Sequence, residues 1–299
     1  GKRFFNGELR GVKSLGMLCG GSELGLTDAD YEGADVDGIL ILKPDTKVGV
    51  DINEILGRTD VILDVSVTAN RPDCNSIWGI AREVGAVLHK TVKAPVTSYT
   101  ATPERIFNLL DVQVADADLC PRYMAKAVKN IKICESPKII KDRLRAVGIK
   151  PINNIVDITN YILIELGQPM HAFDYEKIAG HRIVVRRAEE GETITTLDNT
   201  THNLDNDVLV IADAEKPLAV AGIMGGLDSG ISDDTHTIIF ESAKFARDNV
   251  RRTSRKLNLK SDSSARFEKG IDFLSQAIAI DRALTLIQTN GWGTIISGT

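Results

Sequence analysis

No apolar run in this chain approaches the roughly 20 residues that a membrane-spanning helix needs, so a helical membrane protein is excluded and no membrane partner is expected. Cysteine is scarce. The four, Cys19, Cys74, Cys120 and Cys134, form no C-x-x-C pair and have no histidine at zinc-ligand spacing, so no metal site is assigned. They read as reduced, mostly packed thiols of a cytoplasmic protein. There is no G-x-S-x-G elbow, reactive-cysteine signature or H-E-x-x-H motif, which leaves covalent and zinc-hydrolase catalysis without support. Neither G-x-G-x-x-G nor a Walker loop is present, so a glycine-rich phosphate cradle is not expected. Internal repeats and low-complexity tracts are absent. The chain opens Gly-Lys-Arg-Phe, without an initiator Met, an apolar signal region or a cleavage site, and is expected to be a piece of a longer protein.

Charge of one sign is also modest. The formal net charge of −5 excludes a wholly basic nucleic-acid binder. Local charge departs from that sum, because residues 244–269 hold nine Lys or Arg against three Asp or Glu. Such a stretch is either a solvated helix face or a surface for a phosphate backbone. At 299 residues, with 43% hydrophobic and 26% charged residues, the chain has the composition of a globular protein of two domains with room for part of a third.

Residues 11–58 alternate short apolar runs with Gly and Asp turns, the texture of a small β domain lacking its first strands. A strand is predicted over 61–67 and a turn at Asn70-Arg-Pro-Asp-Cys74. A helix is predicted over 76–89, with an apolar stripe of Ile77, Ile80, Ala81, Val84, Ala86 and Leu88. Two prolines and several hydroxyl residues mark 93–103 as a linker. Beyond about 108, strands are predicted at 112–114, 123–128, 183–187, 208–212, 218–221 and 237–241, and helices at 137–146, 154–166, 245–257 and 273–288. Because these interleave without a regular βαβ period, the expected class is α+β, a mixed α/β arrangement, rather than a barrel or doubly wound sheet.

The densest information lies in 153–174. An apolar helix is stopped by Gly167, and Pro169 holds His171 on a stiff corner, either a plain helix-stop turn or the rim of a pocket. The glycine pair Gly225-Gly226 after the strand at 218–221 is either a bulge or a place where a ligand meets backbone amides, lined by Met224. Glu241 ends a buried strand, where a carboxylate is costly unless paired with a cation or a ligand donor. Ser261-Asp-Ser263 either caps the next helix or lines a pocket.

Six segments in this order resemble the β subunit of bacterial phenylalanine–tRNA ligase over nearly the whole chain. They are Gly-Val-Lys-Ser-Leu-Gly-Met-Leu-Cys (11–19), Asn-Arg-Pro-Asp-Cys (70–74), Gly-Gln-Pro-Met-His-Ala-Phe-Asp (167–174), Gly225-Gly226, Phe240-Glu241-Ser242-Ala243 and Arg266-Phe-Glu-Lys-Gly-Ile-Asp272. The resemblance implies part of an OB-type tRNA-binding domain over 1–58, a small connecting α/β domain over 59–98 and a linker over 99–107. An editing module would occupy 108–292 and hydrolyse tyrosine misattached to phenylalanine tRNA, and 293–299 would begin a linker to a further domain. It also implies catalytic roles for His171 and Glu241, the latter accepting a hydrogen bond from the tyrosyl hydroxyl. Lys150, Thr159, Asn160, Gly225, Ser261 and Ser263 would bind substrate. The expected partners are phenylalanine tRNA and an α subunit, in a heterotetramer of two α and two β. No cofactor is expected in this chain, while ATP and Mg2+ serve the whole ligase, whose adenylate-forming site lies on the other subunit. The family commonly has Arg where Lys150 stands and Thr-Asp-Ala where Ser261-Asp-Ser263 stands. The alternative is a tRNA- or subunit-binding scaffold in which editing has degenerated through these departures.

Overall fold

The computed structural model describes residues 7–26 and 38–299. Two compact units divide the chain, Gly1–Asp64 with Asp142–Pro151, and Val65–Lys141 with Ile152–Thr299. In the first, β1 (Gly7–Leu9) and β2 (Val12–Ser14) form an antiparallel hairpin turned at Arg10 and Gly11, both with positive φ. Gly20 bridges to Ile39, and the short helix α1 (Ile52–Ile55) is capped by the Asp51 carboxylate, which accepts from the Asn53 amide. Part of the small β domain expected over 11–58 lies outside the described residues. The strand predicted at 61–67 does not form: the segment exposes Val61, Ile62 and Leu63, and no described strand pairs with it. Alternating residues make a strand only where a neighbour takes up the backbone amides and carbonyls.

The second unit opens with α2 (Ile77–Val87), started by Ser76, whose hydroxyl accepts from the Gly79 amide at 3.0 Å. This helix forms where predicted but not with the predicted face. Ile77, Val84 and Leu88 are exposed, and Gly79 and Gly85 are buried instead. Next come β3 (Thr102–Arg105), β4 (Asp111–Val114), β5 (Arg122–Lys129), α3 (Lys138–Ala146), whose C-terminal part belongs to the first unit, and α4 (Asn154–Leu166). The chain continues through β6 (Met170–Asp174), β7 (Arg182–Arg187), the hairpin of β8 (Thr193–Thr195) and β9 (Thr201–Asn203), β10 (Leu209–Ala212), β11 (Pro217–Val220), β12 (Met224–Gly225) and β13 (Ile238–Lys244). Helices α5 (Arg247–Lys256), α6 (Asp262–Phe267) and α7 (Ser275–Thr289) and the strand β14 (Thr294–Ser297) complete it.

Two five-stranded sheets result, ordered β3-β14-β5-β13-β6 and β12-β11-β10-β7-β4. Side chains alternate across a strand. One face of the first sheet therefore presents Ala125, Ala127, Phe173, Ile239 and Ala243, which join Ile183, Val185, Leu209, Ile211 and Leu218 of the second sheet in one apolar cluster. The opposite face buries Ala172, Ile238 and Phe240, and α4 and α7 pack on β6 and β13 and on each other. The expected α+β class is borne out. Two segments expected as linkers carry strands instead, β3 within 99–107 and β14 within 293–299, paired in parallel at the sheet edge. That pairing joins segments far apart in the chain, so local composition does not reveal it.

Candidate functional site

The helix α4 begins at Asn153, whose side-chain oxygen accepts from the amides of Ile155 and Val156 at 3.1 and 3.0 Å. It ends at Gly167, whose φ of 76° is the left-handed conformation that glycine adopts without strain. The expected corner around His171 is absent. Met170–Asp174 is the strand β6, held antiparallel to β13 with Glu241 directly opposite His171. Gln168, fully buried, fixes this junction. Its amide nitrogen donates to the Ala243 carbonyl at 2.9 Å, and its oxygen accepts from Ser275 and Gln276 at 2.6 and 2.9 Å.

Directly opposed residues of antiparallel strands share a face, so Glu241 and His171 lie side by side in the space between the sheets. Neither is satisfied within the protein. Glu241 is 5% exposed and its carboxyl makes no hydrogen bond or ion pair among the described residues, and burial pushes that carboxyl up to about 8. The Nε2 atom of His171 is buried without a partner, and burial lowers the imidazole to about 4. At neutral pH an uncharged acid therefore faces an uncharged base. Nearby Tyr123 carries a buried hydroxyl without a partner, pushed up by burial first and by the charge of Glu241 second. Cys120 is raised to about 12 for the same two reasons, which makes it an inert thiol.

Glu241 and His171 open on a cavity of about 50 Å3. Its wall is apolar for the most part, with Ile211, Val220, Met224, Phe245 and Phe267, and Gly225 and Ser263 also line it. Phe245 and Phe267 meet edge to face, ring centres 5.1 Å apart. A benzene-binding cavity measures ~150 Å3, so side chains must move before an aromatic ring fits, and flexible methionine is suited to that. Gly225 lines the cavity, and a Cβ there would stand 2.6 Å from Cε1 of His171. Glycine at this position seats the imidazole.

Other expected residues fall elsewhere. Ser261 caps α6, accepting from the Ser264 amide at 3.1 Å, and donates to the Ile223 carbonyl at 2.6 Å, so it shores up the wall without lining it. Thr159 and Asn160 lie on α4 and do not line the cavity, and the Thr159 hydroxyl is spent on the Val156 carbonyl at 2.8 Å. Lys150 belongs to the first unit, whereas the cavity is a feature of the second. Sequence pattern does not mark Phe245 or Tyr123 as site residues, and Phe267 enters it only as part of the segment 266–272. The period-2 pattern of 123–128 puts Tyr123 on the face of Ala125, the partner of Glu241, but that pairing is not a local signal.

The sequence model of the B3/4 domain matches residues 119–291, which runs from just before β5 to the end of α7 and contains every cavity-lining residue. This chain belongs to the B3/4 domain family. Around its B3/4 domain the similarity covers the entire chain. It is 46% identical over 299 residues to the phenylalanine–tRNA ligase β subunit of Clostridium acetobutylicum, covering 100% of this chain and 37% of that protein. The corresponding β subunit of Moorella thermoacetica is 46% identical over 298 residues, again 100% of this chain and 37% of the relative. The resemblance read from the six segments is thereby borne out, and the chain spans little over a third of the relatives' length. A solved N-terminal fragment of the phenylalanyl-tRNA synthetase β subunit from Pyrococcus horikoshii superposes at a TM-score of 0.43 with 17% identity, covering 78% of this chain and 61% of that one, too loose to argue from.

Outside the B3/4 domain, Asp73, Cys74 and Glu83 bring potential metal-ligand atoms within 4.8 Å of one another. Arg71 donates to both carboxylates, at 2.8 Å to Asp73 and 2.6 Å to Glu83, and holds both below the usual carboxylate range. The positive charge that a metal would supply is already in place, so this group reads as an ion-pair node. Among the described residues no helix is long and apolar enough to cross a membrane.

Proposed function

We propose that the B3/4 domain, taken as residues 108–292, hydrolyses tyrosine misattached to phenylalanine tRNA within a phenylalanine–tRNA ligase β subunit. The observation that carries this reading is the unpaired Glu241 carboxyl beside the unpaired His171 imidazole on the wall of an otherwise apolar cavity. A buried carboxyl without a protein partner is costly, and a phenol hydroxyl supplies the missing partner. A pocket shaped for phenylalanine rejects an isostere that adds a hydroxyl by only about a hundredfold, whereas a site that requires the hydroxyl discriminates by roughly 10^4 or more. A second site that demands the hydroxyl is the physical remedy.

The chemistry asked of the residues is small. The ester is already activated, and His171, with a pKa of about 4, is a weak proton acceptor. Its role is to orient a water molecule or the ester through Nε2, while the free ribose hydroxyl of the terminal nucleoside assists. Thr159 and Asn160 would bind the substrate outside the cavity, and a substrate-binding role is proposed for Lys150 as well. The adenylate-forming reaction, with its ATP and Mg2+, would reside on the partner α subunit.

The test is deacylation of tyrosylated against phenylalanylated tRNA by the chain and by Glu241→Ala. Loss of hydrolysis, or of its preference for tyrosine, is expected. Unchanged rate and preference would remove Glu241 from the reading. A second reading, a scaffold that binds tRNA without hydrolysis, draws on the small free volume of the cavity, and absence of deacylation by the unaltered chain would favour it.

A further inference from the structure

The basic stretch read at 244–269 resolves into a defined surface. The helix α5 buries Asn249, Val250, Thr253 and Ser254 and turns Arg247, Arg251, Arg252 and Arg255 outward. Arg247, Arg251 and Arg255 recur every four residues, at ~6 Å intervals along the axis. Exposed Lys260 lies just past the helix. Arg251, Arg252, Arg255 and Lys260 have no hydrogen-bonded or ion-pairing partner among the described residues. By contrast Lys256 is held by Asp205, and Arg247 lies 3.6 Å from Asp248. Unpaired guanidinium groups in a row are what a chain of phosphates fits, since each offers a planar fork of donors.

The position of α5 gives this row a direction. On its inner face Val250 backs the cavity wall, since a Cβ on cavity-lining Gly222 would lie 3.2 Å from the Val250 side chain. Phe245, just before the helix, lines the cavity, as do Ser263 and Phe267 of α6, just after Lys260. A polyanion lying along the outer face of α5 therefore has the cavity near either end of its track.

We propose that the outer face of α5, with Arg251, Arg252, Arg255 and Lys260, holds the sugar-phosphate backbone of single-stranded RNA close to its esterified end. The proposal takes from the functional reading only that the substrate is an ester on the terminus of an RNA. These contacts carry no base specificity, because they meet phosphates alone.

The experiment measures binding of uncharged phenylalanine tRNA to the intact 299-residue chain across a fourfold range of salt. The same titration is made with the quadruple variant Arg251→Gln, Arg252→Gln, Arg255→Gln, Lys260→Gln and with a quadruple variant in which lysine replaces the three arginines and arginine replaces Lys260. Four phosphate contacts on a single strand contribute roughly three to the slope of log affinity against log salt, about fiftyfold over that range. The glutamine variant should lose that share and the charge-retaining variant should keep most of it. A wild-type slope in a folded glutamine variant, checked by far-UV circular dichroism, overturns the proposal, as does equal loss in both variants. If the glutamine variant fails to fold, the single variants Arg251→Gln and Arg255→Gln replace it, each expected to lower the slope by ~0.7. Deacylation is scored separately: an unaltered chain that binds tRNA with this slope but does not hydrolyse the ester sinks the functional reading and leaves the surface standing.

Discussion

Replacing Glu241 by glutamine should stabilise the protein, and by an amount that depends on pH. An unfolded glutamate titrates near 4.5, whereas burial holds Glu241 at about 8. Below 4.5 both states carry the proton and the residue is indifferent. Between 4.5 and 8 the folded state keeps a proton that the unfolded state releases, so stability falls as pH rises. Each unit is worth ~1.36 kcal/mol, which amounts to about 3 kcal/mol by pH 7 and to about 5 kcal/mol once pH passes 8. Glutamine has nearly the same shape and no such titration. Urea unfolding of wild type and Glu241→Gln should therefore nearly coincide at pH 5 and separate steadily toward pH 8, with the variant the more stable. His171 works in the opposite sense: its depressed pKa makes the fold lose stability as pH drops from 6.5 toward 4, giving the wild type a plateau in between. Unfolding curves for the two proteins that stay parallel from pH 5 to 8 would refute the reasoning, because Glu241 would then have a partner or a wet environment.

Three further outcomes are expected. Gly225→Ala, by driving a methyl group to 2.6 Å from the His171 ring, should slow deacylation at least tenfold and shift the imidazole resonances in an NMR spectrum. His171→Ala should slow hydrolysis while the melting temperature changes little, and a collapse in melting temperature would make it a packing residue instead. Ser261→Ala removes the helix cap and the bond to the Ile223 carbonyl and should cost about 1–2 kcal/mol in denaturant unfolding, where no loss would mean that water takes over both bonds.

Much of this was readable in the sequence where the signal was local. The helix α4 lies between a capping Asn153 and a terminating Gly167, and β13 was recognisable as a buried apolar run. Ser261 used one of the two roles its residue type allows. Legibility failed where partners distant in the chain decide the structure. His171 looked like a turn residue because Gly167 and Pro169 precede it, yet pairing with β13 makes it a strand residue. The segment 61–67 carried strand periodicity and found no described neighbour. The α2 stripe has helical spacing but packs through Gly79 and Gly85, because small residues let another part of the chain come close. Spacing alone could not tell that Thr159 and Asn160 lie off the cavity while Gly225 touches the imidazole.

The register that sets Glu241 beside His171 is held by five paired residues of β6 and β13, and the Gln168 side-chain amide buttresses the junction just before β6. Because Gln168 satisfies the Ala243 carbonyl on one side and the start of α7 on the other, a leucine there would leave several polar atoms stranded in a dry interior. Slippage of β6 by one residue would turn the imidazole to the opposite face of the sheet. The hydroxyl recognition proposed for this cavity would thus lean on a residue that never meets the molecule being judged.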